Sequence, residues 1–188
     1  MIPRPIRTTT INAVLAARLF ATAAGAVLIG SGIAAGANMT VPASSTAAYT
    51  EEAALSDIFE IEAAKLARNK TQNDDIRAFA GRMVLDHTAA TEKMKETLAD
   101  MGLSVQLPAR LDDRRMKILE DLNEQQVPGF DRMYVATQIE AHEAALQLHR
   151  GYAEAGANEE LRETAAEIAD TVERHLEHIR DIADEMND

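Results

Sequence analysis

The chain has 188 residues and a net charge of −12, enough length for one domain with a real core plus an N-terminal extension. Its acidic balance repels phosphate backbones and anionic lipid, which argues against nucleic-acid partners and electrostatic membrane binding. Cysteine is absent and aromatics make up 4%, so disulfides, thiolate ligands and a catalytic thiol are excluded, and Ala, Leu, Ile and Met must fill a core of close-packed helices.

Residues 1–18 are basic and acid-free, with Arg4, Arg7 and Arg18. Leu19 to Ala37 is an uncharged run rich in Ala and Gly, ending in Ala35-Gly36-Ala37, a small-x-small pattern that suits signal peptidase. We expect residues 1–37 to be a signal peptide cut before Asn38, or a retained anchor. Either way the rest of the chain is placed outside the cytoplasm, in the periplasm or envelope. A membrane association is expected only if that segment is retained. Without it the remainder is three charges more negative than the whole chain. Residues 38–50, rich in Ser, Thr, Ala and Pro, read as a flexible tether.

The bundle region is expected over residues 51–186. A first helix is predicted from about Glu51 to Asn69, capped by Thr50. One stripe of it carries Leu55, Phe59, Glu62 and Leu66. A neighbouring stripe of small residues carries Ala53, Ser56, Glu60, Ala63, Ala64 and Ala67. Thr71 to Asn73 make a turn, Asn73 caps a second helix, and Gly102 ends it. Leu103 to Val127 is too long for a bare loop; Leu111, Ile118, Leu119 and Leu122 give it a short helix between Pro108 and Pro128. A third long helix runs from Pro128 to about Ala155. After Gly156-Ala157-Asn158, with Asn158 as cap, a fourth carries the seam Leu161, Ala165, Ile168, Val172, His175, Ile179, Ile182 and Met186. Two helix pairs joined by a long crossover define an all-α, ferritin-like four-helix bundle.

Three imidazoles interrupt these apolar stripes. His87 follows Met83-Val84-Leu85-Asp86 in the second helix, and His142 and His175 stand at core positions of the last two. Counting from helix starts puts all three roughly 20–25 Å down their helices, within about a turn of one level. Imidazole and carboxylate from facing helices are how bundles build metal sites. The candidate ligands are His87, His142 and His175, with Glu60, Glu62 or Asp86. The choice between Glu60 and Glu62 stays open at this point. Such a set suits a single Zn, Cu, Ni or Fe ion. A di-iron centre is disfavoured, because a carboxylate three residues before each ligand histidine is replaced by Val84, Ile139 and Val172. The same residues also suit a metal-free polar network in which Asp86, Gln138, Glu60 and Tyr134 receive the imidazole hydrogen bonds. His149 and His178 are weaker candidates, and Met83, Met94 and Met101 read as core fillers.

The stretches Glu60-Ile61-Glu62-Ala63-Ala64-Lys65-Leu66-Ala67, Phe79-Ala80-Gly81-Arg82-Met83-Val84-Leu85-Asp86-His87, Phe130-Asp131-Arg132-Met133-Tyr134, Gln138-Ile139-Glu140-Ala141-His142-Glu143 and Glu173-Arg174-His175-Leu176 together resemble the DUF4142 family over roughly residues 51–183. The resemblance implies a ferritin-like fold and export, and lends nothing on mechanism. Phosphate-binding glycine loops, zinc-protease motifs and activated serines are missing from the sequence, so nucleotides are not expected as ligands. The expectation is a non-enzymatic exported bundle with a buried His/carboxylate cluster, for which metal binding and a metal-free network are both open, with an envelope or stress role. The alternatives are a redox or metal-handling enzyme of ferritin-like descent and an acidic protein-interaction module.

Overall fold

Ala, Leu, Glu and Arg are frequent in the long segments on either side of the polar breaks at 71–73 and 156–158, and helix formers over such lengths give helices. In the computed structural model, which describes residues 45–187, the elements are α1 Thr46–Lys70, α2 Asp74–Asp100, α3 Asp113–Glu124, α4 Gly129–Ala155 and α5 Glu159–Glu185. The expected leader and residues 38–44 of the expected tether lie outside the described residues. Among the described residues no helix is long and apolar enough to cross a membrane.

The helix ends show which polar residues act locally. Asn73 accepts hydrogen bonds from the backbone N–H groups of Asp75 and Ile76, and Asp74 and Asp75 occupy the first turn of α2, where acids complement the helix dipole. At the other end Gly102 takes φ 68°, a left-handed value that glycine adopts without steric cost, so the chain turns out of the helix there.

Two expectations are corrected at the caps. The first helix begins at Thr46 rather than Glu51, because Ser45 caps it by accepting from Ala48 N–H. Thr50 lies inside the helix and donates to the Thr46 carbonyl. The five residues given to the tether, 46–50, are therefore helical. Tyr49 anchors them, since it is fully buried, stacks on Tyr152 at 4.0 Å and bonds His149 through its hydroxyl at 2.9 Å. Asn158 stands at the N-cap of α5 as expected but makes no side-chain cap bond there; its side chain is taken up by the Thr46 hydroxyl.

Cross-helix pairs fix the topology. Asp86–His175, Lys93–Glu167 and Thr97–Thr164 run α2 antiparallel to α5. Glu143–Arg180 and Arg150–Glu173 run α4 antiparallel to α5. Helices α2 and α4 are therefore parallel, and the chain between them must travel the length of the bundle. It does so as 101–128, with α3 lying along α1. Arg115 meets Glu52 near one end of α1 and Lys70 reaches the Asn123 carbonyl near the other. This is the one-crossover arrangement of ferritin-like bundles.

Apolar packing divides along the bundle axis. One cluster joins Phe59, Ile76, Phe79, Met83, Phe130, Tyr134 and Ile179. The other joins Tyr49, Ala53, Met94, Leu98, Tyr152 and Leu161. A thin layer of Ala145, Ile168 and Val172 lies between them, and next to it the core turns polar.

A candidate metal centre at mid-bundle

Three helices each send one imidazole to the level between the two apolar clusters. His87 comes from α2, His142 from α4 and His175 from α5, and all three are buried. Their ring centroids form a near-equilateral triangle, at 5.7 Å for His87–His142, 5.6 Å for His87–His175 and 5.6 Å for His142–His175. One nitrogen from each ring lies within 4.8 Å of the other two.

The opposite nitrogen of each ring is held. His87 Nδ1 is 2.8 Å from Asp57 Oδ1. His142 Nδ1 is 2.8 Å from the Gln138 carbonyl, one turn back on its own helix. His175 Nε2 is 2.9 Å from Asp86 Oδ2. Each of these partners is an acceptor, so the imidazole donates its N–H outward, and the tautomer this selects leaves a lone pair on the inward nitrogen. His87 Nε2, His142 Nε2 and His175 Nδ1 are all buried and have no hydrogen-bond partner among the described residues. Three buried ring nitrogens without partners cost desolvation without compensation. Outward bonds from ligand histidines to carboxylate or carbonyl oxygens are the usual support of a metal centre.

The carboxylates sort by position. Glu60 is interior, 1% exposed, with Oε1 3.9 Å from His142 Nδ1. Glu62 is turned to solvent, where it pairs with Lys65 at 2.7 Å, so of these two candidates Glu60 is the interior one. The α1 residues that reach the centre are Asp57, bonded to His87, and Glu60, beside His142, while Ala63, Ala64 and Ala67 on the same buried side pack in the apolar cluster with Phe79 and Phe130. Asp86 is half-buried and touches His175 from outside. Asp57 was not among the expected residues. It joins His87 to Thr91, accepting from the Thr91 hydroxyl at 2.7 Å. Its signal in the sequence is its place between Ala53, Glu60 and Ala64, on the small-residue face. His149 is buried but belongs to the separate Tyr49 cluster, and His178 is exposed at the edge of Phe79.

Burial and neighbours set the charges. Burial, followed by the neighbouring His87 and His175, holds His142 well below the ordinary imidazole range. Burial takes His175 and His149 down to about 4. Burial also opposes charge on His87, but the Asp57 carboxylate overrides it and raises that imidazole, with Glu60 and Asp86 adding to the effect. Burial pushes Glu60 up to about 7.

These shifts predict acid sensitivity. Below the ordinary imidazole value of 6.5 the unfolded chain protonates at His142, His149 and His175, whereas the folded chain keeps them neutral. Stability therefore falls as pH drops from about 6.5 toward 4. Glu60 acts in the opposite sense between 4.5 and about 7, because there the folded state holds a proton that the unfolded state lacks. His87, raised, opposes only above its ordinary value. Three groups outweigh one, and metal-free protein should lose on the order of 2 kcal/mol per pH unit near pH 5.5. Thermal melts between pH 7 and 4.5 check this; a flat profile would contradict the neutral, buried imidazoles.

A parallel-crossover helical bundle with a three-histidine centre at mid-height is the class that fold and site define. The chain belongs to the DUF4142 family, a domain of unknown function, whose model matches residues 32–182. Among solved structures, the chain is similar to a DUF305 fragment from Deinococcus radiodurans, with a TM-score of 0.63 and 16% identity over 76% of this chain and 95% of that one. At that identity the likeness concerns the fold. Among curated proteins none matches.

Proposed function

We propose that this protein is an exported, envelope-located bundle that binds one transition-metal ion, Zn, Cu, Ni or Fe, through His87, His142 and His175. The observation that carries the reading is the convergence of three buried, partnerless imidazole nitrogens whose opposite nitrogens are all tied to acceptors. The donor set fits the group. Neutral imidazole suits borderline divalent ions and disfavours Mg and Ca, which want oxygen ligands. The surrounding charge fits as well, because His87 feels Asp57, Glu60 and Asp86 together, and carboxylates around a buried site favour a cation in a low-dielectric interior. Bound there, the ion would supply a cross-link between α2, α4 and α5, and a Lewis-acid centre. The basic, acid-free start of the chain and the small-residue pattern before Asn38 support export.

Elemental analysis of the purified protein after exposure to each of the four ions, followed by dialysis, tests the metal. One ion per chain is expected, lost in His87→Ala and His175→Ala. No retained ion, or retention unchanged in both variants, would sink the reading. Sequencing the N-terminus of protein recovered from the envelope fraction tests the rest, with a new terminus at Asn38 expected.

A further inference from the structure

The way out of the centre is asymmetric. Toward one end Phe79 packs against His142 and His175, at 6.0 and 6.5 Å between ring centroids. Toward the other lies the layer of Ala145, Ile168 and Val172. Glu60 and Gln138, both buried, occupy the side of α1 and α4. Side-chain exposure instead rises toward the seam of α2 and α5, from 0% at His142 to 7% at His175 and 27% at Asp86. A cleft of about 350 Å³ opens along that seam, and its lining includes both His87 and His175. Ala89 and Ala90 leave the space in which a larger side chain would close it.

The cleft differs in charge from the rest of the molecule. Its lining carries Arg82, Lys93 and Arg174 against Asp86 and Glu167, on a chain whose net charge is −12. Arg82 and Lys93 have carboxylates nearby, at 4.0 Å from Asp86 and 3.4 Å from Glu167. Arg174 donates to the Thr171 hydroxyl and pairs with no carboxylate among the described residues. The ligand count matters equally. No described carboxylate joins the three imidazoles in a common ligand group, so the imidazoles by themselves leave a four-coordinate ion one position to fill. Three protein ligands plus an exchangeable one is the arrangement of open, reactive metal sites rather than closed structural ones.

Resting on the metal-bound reading above, we propose that the α2–α5 cleft admits a small anion, a carboxylate or oxoanion, to the fourth position of the ion. One anionic oxygen donates to the metal, while the guanidinium of Arg174 and the ammonium of Lys93 face the remaining charge. The cleft's size restricts the ligand to a few heavy atoms, and its positive rim selects the sign.

Full-length protein loaded with Co(II) provides the test, because the visible spectrum of cobalt reports changes in its coordination. Cobalt content is measured first; azide, acetate, bicarbonate and phosphate are then titrated separately. The expected result is one cobalt per chain and a saturable spectral shift with azide and with at least one oxygen anion, the most effective anion identifying the ligand class. Arg174→Glu, on the exposed rim, should weaken apparent anion affinity roughly tenfold with cobalt content unchanged. Ala90→Leu should remove the shift. Cobalt bound at one per chain with no response to any anion overturns the cleft proposal and leaves the metal reading standing. A response of equal strength in Arg174→Glu and in Ala90→Leu also overturns it. Failure to bind cobalt at all removes the metal reading and this proposal together.

Discussion

His142→Leu should stabilise the metal-free protein and destabilise the metal-loaded one. The His142 side chain has 0% exposure; its Nε2 is buried without a partner, and its Nδ1 bonds only the carbonyl one turn behind. In the absence of an ion, that imidazole brings an unpaired polar atom into the core, where leucine of similar volume brings none. Replacing a poorly satisfied buried polar group with a packed apolar one is favourable by about 1–3 kcal/mol. With an ion the sign reverses, since the variant keeps two of three ligands. At a free concentration a thousandfold above the dissociation constant, binding adds about 4 kcal/mol to the parent, most of which the variant forfeits. Paired thermal melts with and without metal read both arms. If the variant is weaker than the parent by the same amount in both, the imidazole is an ordinary packing residue.

This reversal also explains why a histidine in an apolar stripe can be recognised from sequence. Patterns that fold a bundle are redundant, and Ile168, Val172, Ile179 and Ile182 define the face of α5 whatever stands between them. His175 on that face is a local conflict that the fold tolerates because the surrounding apolar residues suffice, and such conflicts concentrate where function resides. The same holds for His87 among Ile76, Phe79 and Met83. The crossover was legible because 25 residues between Gly102 and Pro128 are too many for a hairpin, and the parallel course of α2 and α4 follows.

Other features were hidden for physical reasons. Asp57 looks like a surface acid, because a lone carboxylate in a helix is far more often solvated than buried; only its place on the alanine face betrays it. Glu60 and Glu62 differ by 200° around the helix at 100° per residue. The leucine stripe favoured the wrong one, since α1 turns its small residues into the core and leaves Leu55 and Leu66 only partly covered. Tyr49 needed its long-range partners, Tyr152 and His149, before it could be distinguished from the end of a tether. Helix starts set by such distant contacts leave no local signature.

Asp57 is where the largest loss is expected. It accepts from two buried or partly buried donors at once, His87 Nδ1 and the Thr91 hydroxyl, and water has little access to replace it. Asp57→Ala leaves both donors without an acceptor and removes the charge that raises His87, at a cost of about 3–5 kcal/mol to the fold. Asp57→Asn is the more informative change. Asparagine keeps the shape, but its amide can present N–H where the carboxylate presented only oxygen, allowing His87 to switch its proton to Nε2. That proton would occupy the lone pair the metal needs, so affinity should fall by about 10–100-fold while the melting temperature of metal-free protein changes far less than in Asp57→Ala. Asp86→Asn provides the internal comparison. It perturbs His175 through the same kind of bond, but Asp86 is 27% exposed, so water can take over as acceptor and the loss should be smaller. Metal titrations of the three variants, read alongside their melts, give the ordering. Asp57→Asn must weaken the ion more than Asp86→Asn does, or the outward carboxylate bond is not what prepares His87 as a ligand.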